Sequence, residues 1–287
     1  MAARSEKFAD VIRGAVARRG AALMGICNVT PDSFSDGGRY LAASDAAARI
    51  DELIAEGADI IDVGGESTRP GSKPVPAEEQ LERVLPAIRH AAARGACVSI
   101  DTASPKVAAA ALDCGAHAIN DVSLLTDEGL ADVAGGSGAA LILSHYRPAV
   151  GMRASLQEYG DVVKDVLVDW ERAAERAIAR GVPRSALVMD PGLGFSKTAR
   201  HSLELLRRAR VLVEKLDGVP VLVGASRKSF LTLIDRDAAA ADRDGASIAA
   251  AIHAVHAGVR VLRVHAVRAT RQAIDLDNVL GTPRRKI

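Results

Sequence analysis

Polar and charged side chains lie at the ends of apolar runs in this 287-residue sequence, where they contribute nothing to a hydrophobic core. In the stretch 219–230, VPVLVGASRKSF, an apolar run breaks into small residues and two cations, Arg227 and Lys228. Because an unpaired charge is costly to bury, these cations indicate a wall that faces an anionic or polar ligand. A solvated loop with incidental basic residues is the alternative.

Other apolar runs end in the same way. The set contains Asn28, Asp62, Asp101, Asn120, Asp121, Ser144, His145, Asp190, Lys228, Arg263 and His265. Carboxylates and amides offer hydrogen-bond acceptors and donors to a polar ring, whereas cations suit a phosphate group. For any one of these residues, capping of the following helix is an equally good explanation. Capping alone does not account for eight runs that end this way.

Strand and helix signals alternate along the chain and position these side chains. The predicted strands are 22–26, 59–63, 96–100, a run ending at 119–121, 139–143, 186–189, 219–223 and 259–264. The predicted helices are 44–56, 77–93, 105–113, one near residue 130, 161–180, 201–213, 244–257 and 267–276, after an amphipathic helix within 1–20. The segment 27–40 is predicted to be non-helical, because proline and a glycine pair interrupt it.

The strands are apolar throughout, as parallel strands covered on both faces should be. Eight strand-then-helix units favour a closed barrel over an open doubly wound sheet. We therefore predict one α/β domain over residues 1–287, a single (β/α)8 TIM barrel with a short leader, 1–20, and a loose basic tail, 280–287. In such barrels the active site lies at the carboxyl ends of the strands. The polar set is accordingly predicted to converge there.

Charge and composition exclude several classes of partner. The net charge of +1 gives no electrostatic reason to expect binding to nucleic acid or a membrane surface. No apolar run approaches the ~20 residues of a transmembrane helix, and the charged N-terminus does not resemble a secretory signal. Three scattered cysteines predict a reducing, cytoplasmic location. Cys27, beside Asn28, could be a nucleophile, but a small buried strand residue is the better interpretation.

Seven motifs occur in an order and spacing that resemble the dihydropteroate synthase family. They are MGICNVTPDSFSDGG, IIDVGGESTRPGS, SIDT, AINDV, DPGLGF, GASRKSF and RVHAV, spread over about residues 23–267. The resemblance implies an Mg2+-dependent transferase that joins 4-aminobenzoate to 6-hydroxymethyl-7,8-dihydropterin diphosphate. The products would be 7,8-dihydropteroate, for folate synthesis, and pyrophosphate. It also implies a homodimer.

The resemblance assigns roles to individual residues. Asp101, Asn120, Asp190 and Lys228 would hold the pterin, and Phe195 would line the pterin or the aminobenzoate. Arg263 and His265 would bind the diphosphate, with Asn28 as a ligand to Mg2+. The aminobenzoate contacts would be Thr68, Arg69, Pro70 and Ser229, in part on two loops, NVTPDSFSDGG and GGESTRPG, that are expected to close over the substrate. The residues expected to act in catalysis are Asp101, Lys228, Arg263 and His265.

Two other classes share part of this pattern. A methyltetrahydrofolate-type methyltransferase barrel has the same Asp-Asn-Asp pterin contacts, but SRKS and GGESTRPG argue against it. A non-catalytic pterin-binding paralogue is the other class. Five intact positions argue against it: Asn28, Arg69, Lys228, Arg263 and His265. The sequence departs from the family pattern at Ser144, Ser202 and Ala266, where a methionine, an asparagine and an acidic residue are usual.

Overall fold

Eight strands and ten α-helices make up the described chain. The computed structural model describes residues 3–30, 38–66, 74–147 and 158–281, with the backbone alone for 38–42. The strands are β1 Ala22–Asn28, β2 Ile60–Gly64, β3 Cys97–Asp101, β4 Ala118–Asp121, β5 Ala140–Ser144, β6 Leu187–Asp190, β7 Leu222–Val223 and β8 Val261–Val264. The helices are α1 Arg4–Arg19, α2 Gly38–Glu56, α3 Ala77–Ala93, α4 Pro105–Asp113, α5 Gly129–Ser137, α6 Val162–Ala179, α7 Ala199–Arg207, α8 Ala209–Lys215, α9 Asp244–His256 and α10 Val267–Val279. Within the described ranges no helix combines the length and apolarity that crossing a membrane requires.

All eight strands are parallel and form one sheet in the order β6-β5-β4-β3-β2-β1-β8-β7. The two outer strands of that order also meet. Met189 bridges to Val221 in the parallel sense, and the Met189 amide donates to the Pro220 carbonyl at 2.9 Å. The sheet therefore closes on itself, which confirms the predicted (β/α)8 barrel.

The interior of the barrel is packed at its amino-terminal end, and α1 covers that end. Buried side chains of α1, among them Phe8 and Ile12, pack against inward-facing residues of all eight strands. These are Ala22, Met24, Ile60, Cys97, Ala118, Ala140, Ile142, Val188, Leu222 and Val261. Arg18 and Arg19 bind the Asp59 carboxylate at 2.8 and 2.5 Å, which ties the end of α1 to the start of β2. The leader helix is thus part of the barrel.

A second apolar layer fills the space between the strands and the outer helices. Trp170 of α6 is fully buried there, and its indole N–H donates to the Leu143 carbonyl at 3.1 Å. Cys27 also belongs to this layer. Burial raises the pKa of its thiol to about 12, so it is no thiolate nucleophile at neutral pH. The interpretation of Cys27 as a buried strand residue is confirmed.

Three predicted boundaries were wrong. α2 begins at Gly38 rather than near Ser44, because the first N–H groups of a helix need no internal partner and glycine is tolerated there. β7 has two residues rather than five, since Pro220 has no N–H to donate to a neighbouring strand. The predicted helix 201–213 is two helices, α7 and α8, separated by Arg208 with a non-helical ψ of 22°. The predicted tail lies largely outside the described residues, which end at 281.

Candidate active site

The strand register places several polar side chains in one row at the carboxyl end of the barrel. Asn28 pairs with Gly64, Gly64 with Asp101, and Asp101 with Asn120. Since alternate residues of a strand share a face, all of these point toward the barrel axis, as does Asp62, two residues before Gly64. The predicted convergence of strand-end residues therefore has a simple cause in the parallel register.

Arg263 of β8 lies at the centre of this group. Its Nε donates to Oδ2 of Asp62 and its Nη2 to Oδ2 of Asp101, both at 2.7 Å. Burial opposes the charge, but the two carboxylates outweigh burial and raise the pKa of Arg263. The guanidinium is a fixed positive charge whose side chain is 18% exposed.

Asp101 shares that arginine with a second carboxylate. Burial raises the pKa of Asp101 to about 7, and the charge of Asp62 adds to this effect while Arg263 opposes it. Asp62 also accepts a hydrogen bond from Nδ2 of Asn120 at 3.3 Å. Asp62 Oδ1 and Asn120 Oδ1 are buried acceptors with no partner among the described residues. Buried acceptors are ordinarily satisfied, so this pair fits a ligand that presents N–H groups.

Lys228 and Phe195 form a second unit of the site. The ammonium donates to the Leu193 carbonyl and lies 4.2 Å from the centroid of the Phe195 ring. Burial lowers the pKa of Lys228 to about 8; Asp190 opposes this shift, and Arg263 adds to it. Lys228, Arg263 and Asp190 are therefore close enough to interact electrostatically. The predicted convergence of Asp101, Asn120, Asp190 and Lys228 agrees with these couplings.

Asp190, the last residue of β6, is held on both carboxylate oxygens. Oδ2 accepts from the Ser144 hydroxyl at 3.1 Å and Oδ1 from the Gly192 amide at 2.8 Å. Ser144 stands where the family usually has a methionine, and here it orients a carboxylate instead. Each oxygen keeps a lone pair for a ligand, because a carboxylate accepts about four hydrogen bonds.

His265 follows β8 and is fixed by Ser226. The imidazole Nδ1 lies 3.0 Å from the Ser226 hydroxyl, which also accepts from the His265 amide at 3.2 Å. Burial lowers the pKa of His265 to about 3, and the nearby charges of Arg263 and Arg227 add to the effect. The ring is therefore neutral at physiological pH in the free protein.

Asn28 is half-buried at the end of β1 and adjoins Asp101 across Gly64. A Cβ at Gly64 would lie 3.4 Å from the Asp101 Cβ and 3.5 Å from Asn28 Oδ1, so a side chain there would fill the space between them. Within the described ranges no group of three or more His, Cys, Asp or Glu side chains is arranged to hold a metal. An amide oxygen beside a carboxylate fits Mg2+ that takes its other ligands from phosphate and water.

Three residues that were predicted to face the site serve the local structure instead. Asp121 accepts from the Ser123 amide and hydroxyl at 2.8 and 2.6 Å and from the Leu125 amide, and so caps the turn after β4. His145 follows the inward-facing Ser144, so it points outward and contacts Asp169 of α6. Arg227 pairs with Asp244 of α9 at 2.7 Å. Of the two cations in the stretch 219–230, Lys228 therefore faces the site and Arg227 does not.

The remaining predicted contacts are only partly described. Ser229 is exposed at the mouth, directly after Lys228. Thr68, Arg69 and Pro70 lie outside the described residues. The loop NVTPDSFSDGG is described up to residue 30 and again from 38.

The sequence analysis placed Asp62 in the polar set and named Ser202 as a departure from the family pattern, but it assigned no individual role to several residues that support the site. Ser226 fixes His265, Asp62 fixes Arg263, and the Ser202 hydroxyl accepts from the Gly194 amide at 3.0 Å. Lys197, two positions after Phe195, binds the loop that carries Phe195. Ser226 lies within the motif GASRKSF, and Lys197 lies two positions after the motif DPGLGF; these positions were the available signal.

Comparisons with known proteins agree with this arrangement. The family described as "Pterin binding enzyme" matches residues 24–265. The chain is 43% identical over 260 residues to the dihydropteroate synthase of Mycobacterium leprae, covering 88% of this chain and 90% of the relative.

Two solved structures of Xanthomonas albilineans dihydropteroate synthase are also similar. The first, with 4-aminobenzoic acid, has a TM-score of 0.85 and 38% identity, covering 92% of this chain and 94% of the other. The second, in complex with 7,8-dihydropteroate, has a TM-score of 0.82 and 37% identity, covering 92% and 95%. The chain therefore belongs to the pterin-binding enzymes and, within them, to the dihydropteroate synthase family.

Proposed function

We propose that this chain condenses 6-hydroxymethyl-7,8-dihydropterin diphosphate with 4-aminobenzoate to give 7,8-dihydropteroate and pyrophosphate. The observation that carries the proposal is the placement of Arg263 between Asp62 and Asp101, next to the free acceptor of Asn120. This arrangement offers acceptors to the amino-pyrimidine edge of a pterin and a cation to its diphosphate within one pocket. The relatives named above have the same activity in their names.

The pterin would be held by groups of both kinds. Asp101 and Asp190 accept from its ring and exocyclic N–H groups, and the Asn120 amide oxygen accepts a further one. Lys228 donates to the ring carbonyl, while the Phe195 ring beside it gives an apolar surface for stacking. The neighbouring carboxylates and cations fix one orientation of the ring, which places its CH2–O bond toward the mouth.

The chemistry is a substitution at the pterin CH2 carbon. The C–O bond breaks and its electron pair leaves with the pyrophosphate, where Arg263 and His265 stabilise the charge. The positive charge left on the electron-rich pterin is stabilised by Asp101. The amine of 4-aminobenzoate then forms the C–N bond and loses a proton to the solvent or to the departing pyrophosphate. No side-chain nucleophile is required, in keeping with the buried, protonated thiol of Cys27.

Mg2+ is proposed as the cofactor, and Asn28 would be its protein ligand. When bound, the ion would supply positive charge against the leaving group. Ser229 lies at the mouth, where it can donate to the carboxylate of 4-aminobenzoate. Thr68, Arg69 and Pro70 are proposed as the other contacts of that substrate.

A homodimer in the cytoplasm is proposed as the working form. The family resemblance supports a dimer, and the carboxyl-terminal end of α10, with the residue that follows it, exposes an apolar stripe suited to part of an interface. It consists of Leu276, Val279 and Leu280, which are 58%, 82% and 73% exposed. Light scattering of the purified chain tests this assembly: a mass near twice 29.9 kDa is expected.

A turnover assay tests the proposed activity. The purified chain is mixed with the pterin diphosphate, 4-aminobenzoate and Mg2+, and both dihydropteroate and pyrophosphate are measured. Formation of both in equal amounts is expected. Methyl transfer from methyltetrahydrofolate to a corrinoid protein would indicate the methyltransferase class instead. Pterin binding without any turnover would indicate a non-catalytic paralogue.

A further inference from the structure

The loop 191–198, between β6 and α7, carries two of the groups that hold Lys228. They are the Leu193 carbonyl, which accepts from the Lys228 ammonium, and the Phe195 ring below it. The position of Lys228 in the site therefore depends on the conformation of this loop.

A second lysine lies inside the loop. The Lys197 ammonium is within 3.0–3.2 Å of three backbone carbonyls: those of Gly192 and Phe195 in the loop and that of His145 at the end of β5. It also lies 2.8 Å from Nδ1 of His145. Three carbonyls that point at one spot repel each other unless a cation lies between them. Lys197 thus ties both halves of the loop to the neighbouring strand.

The chain of contacts continues outward and fixes the tautomer of His145. Nε2 of His145 lies 3.1 Å from Oδ2 of Asp169, and a carboxylate can only accept, so the imidazole carries its proton on Nε2 and accepts at Nδ1 from Lys197. Burial lowers the pKa of Lys197 to about 7, and the charge of Asp190 opposes this shift. Burial lowers the pKa of His145 to about 4, which keeps the ring neutral. The hydrogen bond from His145, helped by Arg147, lowers the pKa of Asp169 to about 2, so this carboxylate stays charged.

The backbone geometry shows how tightly the loop is pressed onto β5. Gly192 has a φ of +65°, and a Cβ there would lie 2.0 Å from the His145 carbonyl oxygen. The loop can approach this closely because glycine has no side chain, and the ammonium of Lys197 then satisfies the carbonyls that the approach brings together.

We propose that Lys197 is a positioning residue for the pterin site, acting through Leu193 and Phe195 on Lys228. Held by His145 and Asp169, its ammonium keeps the loop in the one conformation that presents the Leu193 carbonyl and the Phe195 ring to Lys228. The effect expected on KM and kcat rests on the proposed function. The position of Lys228 does not, because its acetylation can be measured without turnover.

The test compares K197M and K197R with K215M, which removes an exposed lysine of α8 as a matched control. Acetylation of Lys228 by acetic anhydride is followed by peptide mass spectrometry in the ligand-free protein. In K197M the Lys228 ammonium loses its two supports, so we expect it to react about tenfold faster than in the wild type. In K197R, which keeps a charge, Lys228 should react at a rate between those of K197M and the wild type. In K215M the rate should equal that of the wild type.

Kinetics provide the second measurement. K197M should raise KM for the pterin diphosphate and lower kcat/KM by roughly 30-fold, since small misplacements in a preorganised site have effects of this order. In an F195A background the same substitution should have less than about a third of that effect, because both act through one loop. A purely structural role for Lys197 would lower the melting temperature and leave both KM and the Lys228 reaction rate unchanged.

The outcomes separate this inference from the proposed function. Unchanged Lys228 reactivity in folded K197M overturns the inference, whether or not the wild type turns over. If Lys228 reacts faster in K197M than in the wild type but the wild type makes no dihydropteroate, the inference is upheld and the proposed function is overturned. If K197M does not fold, D169N decides. It keeps the ammonium but removes the charge that orients His145, and unchanged Lys228 reactivity in D169N would overturn the inference.

Discussion

The Nε atom of Arg263 lies 2.7 Å from Oδ2 of Asp62, although the two residues are 201 positions apart in the sequence. Asp62 is fully buried and also accepts from Asn120. It therefore connects the residue proposed to bind the diphosphate with one proposed to bind the pterin. We regard Asp62 as the support of both.

Asp62→Asn should lower kcat/KM strongly while the protein stays folded. The amide keeps an acceptor for Arg263 but loses the negative charge, so the buried guanidinium loses one of its two ion pairs. We expect a loss of ~1–3 kcal/mol in the free energy of unfolding and a fall of ~10–100-fold in kcat/KM for the pterin diphosphate. Urea unfolding and steady-state kinetics measure the two effects. D242N, at an exposed carboxylate, is the control, and unchanged kinetics in D62N would contradict the role.

Pterin binding should weaken as pH rises through about 8. Burial lowers the pKa of Lys228 from 10.5 to about 8, so the ammonium loses its proton in this range and can no longer donate as a cation. Calorimetric affinity for the pterin diphosphate between about pH 6.5 and 9.5 should fall with a midpoint near 8. Arginine does not titrate here, so K228R should bind more weakly but lose that midpoint. A midpoint that persists in K228R would assign it to another group.

The lowered pKa of Lys228 also makes the free energy of unfolding depend on pH. Between pH 8 and 10.5 an unfolded Lys228 stays protonated while the folded one does not. The unfolded chain then binds more protons, and the contribution of Lys228 to the free energy of unfolding increases with pH across this window.

Pyrophosphate binding should take up protons. Burial and two arginines lower the pKa of His265 to about 3, so the free protein holds it neutral, and an adjacent anion must raise that pKa. Calorimetry near pH ~6 in two buffers with different ionisation enthalpies should show uptake of a fraction of a proton per site. H265N should abolish it. If the wild type takes up none, His265 does not contact the diphosphate.

Gly192→Ala should be among the most destabilising single substitutions in the barrel. The new Cβ would meet the His145 carbonyl oxygen at 2.0 Å on a backbone with φ +65°. We expect a cost of ~3–5 kcal/mol, measured by urea unfolding. Gly181→Ala is the matched control, because it has φ +91° but nothing within 4 Å, and should cost only ~1–2 kcal/mol. Equal costs would show that backbone strain, and not the close approach, is responsible.

Substrate binding should be ordered, with the pterin diphosphate first. 4-Aminobenzoate is small and has little binding energy of its own, and Ser229 is exposed at the mouth. We expect calorimetry to detect no 4-aminobenzoate binding to the free protein and clear binding once pyrophosphate and Mg2+ are present. Arg69→Ala should weaken that second binding if the loop contributes as the sequence predicts. Tight binding to the bare protein would exclude the order.

The barrel and most of the site could be predicted because both depend on local signals. α3 and α4 begin and end at the predicted residues, where proline and glycine mark the boundaries. Asp101, Asn120, Asp190 and Lys228 were identified because polar groups at strand ends must share one edge of a parallel barrel.

The supporting contacts were not predictable, because they join distant positions. Lys197 and His145 are 52 positions apart, and neither side chain indicates the other. His145 was assigned to the pocket, although strand alternation after Ser144 places it on the outer face. Asp121 was also misassigned. In the sequence, a carboxylate that caps a turn looks the same as one that binds a ligand, and only the structure shows that Asp121 accepts from the amides of Ser123 and Leu125.

The position of α1 determines the route of every molecule that reacts here. With Phe8 and Ile12 filling the amino-terminal floor, the part of the chain that the structure describes leaves the pocket open toward the carboxyl ends of the strands. The substrates and products of the proposed reaction are therefore expected to enter and leave at the carboxyl ends of the strands. A compound that binds Asp101 and Lys228 is therefore expected to block the entry of the pterin diphosphate as well as the release of the product.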